Sequence, residues 1–414
     1  MKSSRPRPVL FFTIFIDLLG FGILIPVLPL LLASPASPYY LLQGTSFTPA
    51  QGYILYGFLI ATFPIFQFIS TPVLGQLSDR YGRKSLLVVS ILGGGISYVI
   101  FAVGILLHSL PLLFISRAFQ GITGGNIAIA QATIADITTP ENRSKNFGLI
   151  GAAFGLGFII GPYLGGRLSD PHFVSWFTAA TPFWFAAILC LLNAFWVMLV
   201  LPETHLTRGA AKAIDWVRSL SNIFRAFKMA ELRVLFATGF LYQAGFAFFT
   251  TFFSVYLIHK FQFTQGRIGD FYAWVGIWIA FSQAVIMRFV ANRFKESTVV
   301  RFGTILTGLL IMAYLLPDKA WMLYVIVPFF AIFNGVSFAT TSGLVSRAVS
   351  PTQQGEVLGI NTSVQALAQA IPPILSGYIA AKIQPQAPVF ISAVVIILAG
   401  LVFNIFFRNP KKSS

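Results

Sequence analysis

Twelve apolar stretches of about twenty residues each divide this chain, at about 9–32, 52–73, 85–107, 111–136, 145–168, 180–201, 232–258, 268–288, 299–316, 320–346, 355–381 and 387–407. A run of that length matches the ~30 Å hydrocarbon core of a bilayer, and only a helix satisfies its own backbone polar groups there. Composition agrees: 10% of the 414 residues are charged and 56% are hydrophobic, where a soluble domain carries roughly 25% charged residues. The expected fold is all-α and integral to the membrane, with twelve transmembrane helices, and an even count puts both termini on one side. The first run is too long for a signal-peptide core of ~7–15 residues and holds Asp17 in mid-course, so it reads as a true span.

The formal charge is +16, and its location decides what it means. Of the 28 Lys and Arg, 22 fall in loops on the side of the termini and five on the other. That asymmetry is the positive-inside pattern, so both termini are expected in the cytoplasm and no nucleic-acid partner is implied. A single cysteine, Cys190, excludes an internal disulfide. No spacing of His, Cys, Asp or Glu suggests a metal site or a nucleophile, so neither a cofactor nor an enzymatic activity is expected. Asn142 and Asn361 match the glycosylation sequon but fall in a cytoplasmic loop and inside a span, where it is not used.

The chain is internally duplicated. Its longest cytoplasmic connection, 202–231, separates a six-span half at 1–201 from another at 232–414. An offset of 211 pairs Pro140 with Pro351, Gly148 with Gly359, Pro162 with Pro373 and Gly166 with Gly377; an offset of 225 pairs Thr13, Gly20 and Phe21 with Thr238, Gly245 and Phe246. Two pseudo-symmetric six-helix bundles follow. Within the connection, IDWVRSLSNIFRAF (214–227) has the pattern of an amphipathic helix lying on the membrane.

Four stretches carry a resemblance to a known family. GQLSDRYGRK (75–84) matches the loop signature between spans 2 and 3 of the major facilitator superfamily, and DLLGFGILIPVLP (17–29) and RAFQG (117–121) are similar to the span 1 and span 4 motifs of its twelve-helix drug:proton antiporters. In span 5, Gly148, Gly157, Gly161, Pro162, Gly165 and Gly166 reproduce the spacing associated with antiporters. The resemblance covers the whole chain and includes the tetracycline-efflux proteins. It implies alternating access, and it implies a cytoplasmic gate made by Gly75, Asp79, Arg80, Gly82, Arg83, Lys84 and Asp136. In that gate Asp79 faces the N-terminus of span 11 near Gly355 and Arg83 reaches Asp136. The competing reading of the same stretch is a solvated basic turn that fixes topology. For span 5, Gly157, Gly161 and Gly165 at every fourth position make a smooth face; close helix packing accounts for it without further function, while the resemblance implies a seal that sets the exchange mode.

Charge inside the membrane is rarer. Asp17 is the one carboxylate well inside a span and Arg117 the other embedded charge, and an intramembrane ionisable residue is a functional candidate by default. Both are candidates for proton coupling; a neutral or paired Asp17 and an Arg117 tied to backbone carbonyls are the structural alternatives. Gln120 shares a helix face with Gln131, since eleven residues bring a helix nearly back into register. Gln120, Tyr242, Gln243, Asn334, Asn361 and Gln365 are expected to outline a substrate cavity, or else to act as polar glue between helices. Spans 3 and 9 carry no carboxylate, where the tetracycline exporters are expected to use further acids, which argues against tetracycline itself.

The expected activity is proton-coupled antiport exporting lipophilic or cationic small molecules, by a monomer in the bacterial inner (plasma) membrane, with substrate, protons and the lipid bilayer as partners. A sugar or metabolite exporter, coupled or uncoupled, is the competing transport reading, and a transport-dead receptor or scaffold the competing class.

Overall fold

The computed structural model describes residues 6–138, 143–204, 214–229, 232–347 and 354–407. Pro140, Asn142 and Pro351 lie outside these residues. Fifteen α-helices appear in chain order: α1 Pro6–Leu32, α2 Pro49–Tyr81, α3 Arg83–Leu106, α4 Leu110–Thr123, α5 Asn126–Ile137, α6 Arg143–Leu168, α7 Thr181–Val200, α8 Arg218–Lys228, α9 Arg233–Phe261, α10 Gln265–Phe281, α11 Met287–Arg293, α12 Glu296–Ala313, α13 Ala320–Arg347, α14 Gln354–Lys382 and α15 Ala387–Phe406. A π turn, Ser282–Ile286, joins α10 to α11, so those three form one rod. The pair α4–α5 fills the fourth apolar run, and the helices realise the twelve expected spans plus the linker helix α8. Among the described residues, ten of the rods are long and apolar enough to cross a membrane.

The local sequence explains where these rods begin. Pro111, Pro182 and Pro388 occupy the first turns of α4, α7 and α15, where the missing N–H has no intrahelical partner to lose. The faces follow membrane logic. On α7, Ala186, Ala187, Cys190, Ala194 and Val197 are buried while Ile188, Leu191, Leu192, Phe195 and Leu199 are exposed. Lipid is as apolar as a core, so small residues go inward to bring helices close and large ones go outward.

Two compact units result. One comprises residues 1–46, 62–218 and 263–273, the other 47–61, 219–262 and 274–414. In the first, α1 packs on α6 and α7, and α3 on α4 and α7; in the second, α9 packs on α14 and α15, and α12 on α13 and α15. The duplication seen in sequence is thus repeated as packing. The helix ends that each unit takes from the other half of the sequence are held in equivalent ways. Inside the first unit a methyl on Gly269 of α10 would come 3.3 Å from the Gly166 Cα of α6; inside the second, a methyl on Gly57 of α2 would come 3.2 Å from the Gly377 Cα of α14. Arg167 Nη2 also binds Asp270, at 2.8 and 3.0 Å, and Tyr53 Oη meets His259 Nε2 at 2.9 Å.

Two details differ from the sequence reading. Span 2 does not stop near 73: α2 runs to Tyr81, so most of GQLSDRYGRK is helix and only Gly82, at φ +103°, turns the corner. The fourth span is not continuous but breaks at Gly124–Gly125. The eleven-residue register between Gln120 and Gln131 therefore does not hold.

Candidate functional site: an intramembrane carboxylate and a charged corner

The break in the fourth span builds the site around Asp17. Interrupting a helix within a membrane frees carbonyls that must find partners. Here α2 supplies them: Gln67 Nε2 donates to the Gly124 carbonyl at 2.9 Å and Ser70 Oγ to that of Gly121 at 2.7 Å. With the gap held open, Asn126 starts α5 and donates from Nδ2 to Asp17 Oδ1 at 3.0 Å. Asp17 is only partly buried, whereas Asn126 is buried. The carboxylate is therefore fixed through one oxygen and still reachable.

Arg117 does not pair with it. Among the described residues no carboxylate forms an ion pair with Arg117; its guanidinium bonds Gln120 Oε1, one turn along α4, and lies over the Phe63 ring at 4.7 Å. Stacking on an aromatic face and a side-chain amide replace the hydration of a nearly fully buried cation. Its Nε, the Tyr98 hydroxyl and Asn126 Oδ1 are buried without a hydrogen-bond partner of good geometry. Tyr98 sits where a side chain on Gly20, three residues beyond Asp17, would collide with its hydroxyl. Two of these atoms lie close to the carboxylate's surroundings, since Asn126 touches Asp17 and Tyr98 meets Gly20, and a buried polar atom without a partner carries a free-energy penalty until it finds one.

The glycine face of α6 sets the position of α1. Methyls on Gly157, Gly161 and Gly165 would come within 2.6 Å of Leu18 Cβ, 2.7 Å of the Leu19 carbonyl and 2.6 Å of the Ile23 carbonyl. Leu18 and Leu19 directly follow Asp17, and Ile23 lies six residues beyond it. Pro162 lies against Gly22, and Gly166 faces α10 instead. Side-chain packing around Gly148 lies outside the described residues.

In the second unit the expected cavity residues divide. Tyr242 Oη donates to Asn334 Oδ1 at 2.7 Å, tying α9 to α13, so both are committed to each other. Asn361 is buried on α14, and Gln365 and Gln243 are partly accessible. The π turn brings Gln283 Nε2 to the Gly335 carbonyl at 3.0 Å, beside Asn334. π turns of this kind recur at functional sites.

At the basic end of the first unit the charged motif closes on itself. Arg83, 11% exposed, pairs with Asp79 at 2.6 Å and with Asp136 at 3.2 Å, and its Nη1 reaches Ser78 Oγ at 2.5 Å, which in turn donates to the Gly75 carbonyl. Asp79 is 57% exposed and Arg80 stacks on Tyr81. Side chains in the first turn of α14, the expected partner of Asp79, lie outside the described residues. Glu203, which the sequence reading passed over, completes the corner. Its carboxylate accepts the backbone N–H of Arg83 at 2.8 Å and of Lys84 at 3.3 Å, capping α3 at the positive end of its dipole. A side chain at Gly82 would strike that carboxylate.

Comparison with known proteins agrees with this architecture. The chain is 30% identical over 367 residues to the class H tetracycline resistance protein of Pasteurella multocida, covering 88% of this chain and 86% of that one. It is 29% identical over 411 residues to Multidrug resistance protein 1 of Bacillus subtilis (strain 168), covering 99% and 98%. Among solved structures, the human organic anion transporter MFSD10 (TETRAN) superposes with a TM-score of 0.71 at 25% identity, covering 97% of this chain and all of that one. A D-xylose–proton symporter at 15% identity shares the fold, with a TM-score of 0.76 over 98% of both chains. The family model described as Major Facilitator Superfamily matches residues 10–330 and 235–414, and the chain belongs to that superfamily of membrane transporters.

Proposed function

We propose that this transporter is a proton-coupled antiporter that exports lipophilic or cationic small molecules, with Asp17 as the site where proton and substrate exclude each other. The observation that carries the reading is a partly accessible carboxylate in mid-membrane, held by the neutral donor Asn126 and not by Arg117. Without a permanent counter-cation, Asp17 has two ways to be neutralised: a proton or a cationic substrate. Each then weakens the other by the same factor. Exposing Asp17 to one side of the membrane and then the other converts that competition into exchange. The similarity to tetracycline and multidrug resistance proteins supports export and a bacterial inner membrane; the missing acids in spans 3 and 9 favour substrates other than tetracycline.

One proton moving inward through one pH unit and ~100 mV supplies about 1.4 plus 2.3 kcal/mol, enough for a several-hundred-fold gradient of a neutral substrate. For a monovalent cation exchanged one for one the electrical terms cancel, leaving about tenfold. The test is transport by purified protein in liposomes with an imposed pH gradient. Asp17→Asn should abolish uphill efflux while sparing part of the downhill exchange, and wild-type substrate binding should weaken as pH falls. Full uphill transport by Asp17→Asn overturns the assignment.

A further inference from the structure

The linker helix α8 has no part in the transport reading, yet its three faces are sharply distinct. Ser219, Asn222 and Ala226 are buried at 4, 8 and 4% exposure. Asn222 Nδ2 donates to Ser363 Oγ at 3.1 Å, and Ala226 joins a cluster with Leu232, Phe236, Val300, Ile360 and Phe403. One face is therefore seated on the protein. Turned away from it, Leu220 and Phe224 are 51 and 62% exposed, and Trp216 and Val217, in the turn leading into the helix, are 65 and 64% exposed. Between these faces runs an exposed basic edge of Arg218, Arg225 and Lys228.

We propose that this helix is a docking site for anionic phospholipid headgroups of the leaflet at the basic end of the bundle. Water does not suit two large aromatic and two aliphatic side chains on one face. The helix precedes the membrane rod α9 by four residues, and the cluster it seats on includes Leu232 and Phe236 at the start of that rod and Phe403 near the end of α15. The helix therefore lies level with the start of one membrane rod and the end of another, the depth at which acyl chains give way to headgroups. At that depth an amphipathic helix buries its apolar face and sets its basic edge against phosphates. Asp215 anchors the entry: its N–H and carbonyl pair with the Gln76 carboxamide at 2.9 and 3.2 Å.

The experiment uses the full chain with Cys190→Ala and Leu220→Cys, labelled with an environment-sensitive fluorophore, in liposomes of phosphatidylcholine with about one-third phosphatidylglycerol. Quenchers are lipids spin-labelled near the headgroup, offered as either headgroup type at equal fraction, and aqueous iodide. The expected result is protection from iodide and several-fold stronger quenching by the phosphatidylglycerol quencher; each basic neighbour contributes at most roughly fivefold. Replacing Arg218, Arg225 and Lys228 with Gln should erase that preference while leaving the iodide protection. A label at Phe224→Cys must give the same order of quenching, and the reverse order overturns the proposal. Quenching by iodide alone also overturns it, as does protection from every quencher, which would mean that protein covers the face. Equal quenching by both lipids overturns the headgroup assignment.

Discussion

At the scale of single residues, the site is governed by which polar atoms have partners. Asn126→Leu removes the donor to Asp17 without touching any charge. With its donor gone the carboxylate is no longer held toward α5, so substrate affinity at a fixed pH should fall several-fold, read in a binding titration. Glu203→Ala uncaps α3, a loss typically worth about 0.5–2 kcal/mol, and should lower the melting temperature of the purified protein. Gly82→Ala should lower it further, because the residue stands at φ +103° and its side chain meets the Glu203 carboxylate. Sequence reading finds Asp17 and Arg117 because an isolated charge among apolar residues is conspicuous, and Arg83 and Asp136 through the resemblance that the 75–84 stretch carries. It does not find Glu203 or Gln67, whose partners are backbone groups far along the chain, and it gives no sign that Arg117 turns to Gln120 and the Phe63 ring.

At the scale of elements, close packing of α6 on α1 fixes the residues next to the carboxylate. The α6 glycines hold α1 at a distance that no side chain fits, so Gly161→Val should push Leu19 and Gly22 aside and move Asp17 with them. Overpacking of this kind costs about 1–3 kcal/mol. The expected readout is a lower melting temperature with transport reduced at least tenfold. Gly155→Val on the same helix is the control: a methyl there meets nothing within 4 Å, and both measurements should stay unchanged. The number and order of the spans are legible in sequence because the length of an apolar run has a direct physical meaning. The break at Gly124–Gly125 is not, since hydropathy counts side chains and the break depends on where two carbonyls find donors. The helical course of residues 75–81 is hidden for the opposite reason: charges mark the end of the apolar run, while the helix continues past it on its own hydrogen bonds.

At the scale of the whole molecule, the charge asymmetry predicts orientation. Ser46→Cys and Thr264→Cys, both at exposed positions, should label from outside intact cells in a Cys190→Ala background, and Asp215→Cys should label only after the cells are opened. External labelling of Asp215→Cys would reverse the orientation and with it the direction of export. The duplication was visible as matched Gly and Pro positions, and it reappears as the same helix pairs packed in each unit. What it could not reveal is where the copies have diverged, with a broken helix in the first unit and a π turn in the second. The broken helix also bears on inheritance. Gln67 is useful only while Gly124 offers it a carbonyl, and the gap is tolerable only while the amide is present; the Gly121 carbonyl, which Ser70 shares with the Gly124 N–H, is less exposed to loss. Neither the amide nor the gap can change first without leaving a buried polar atom short of a partner, so descendants of this chain should keep the two together or lose both together.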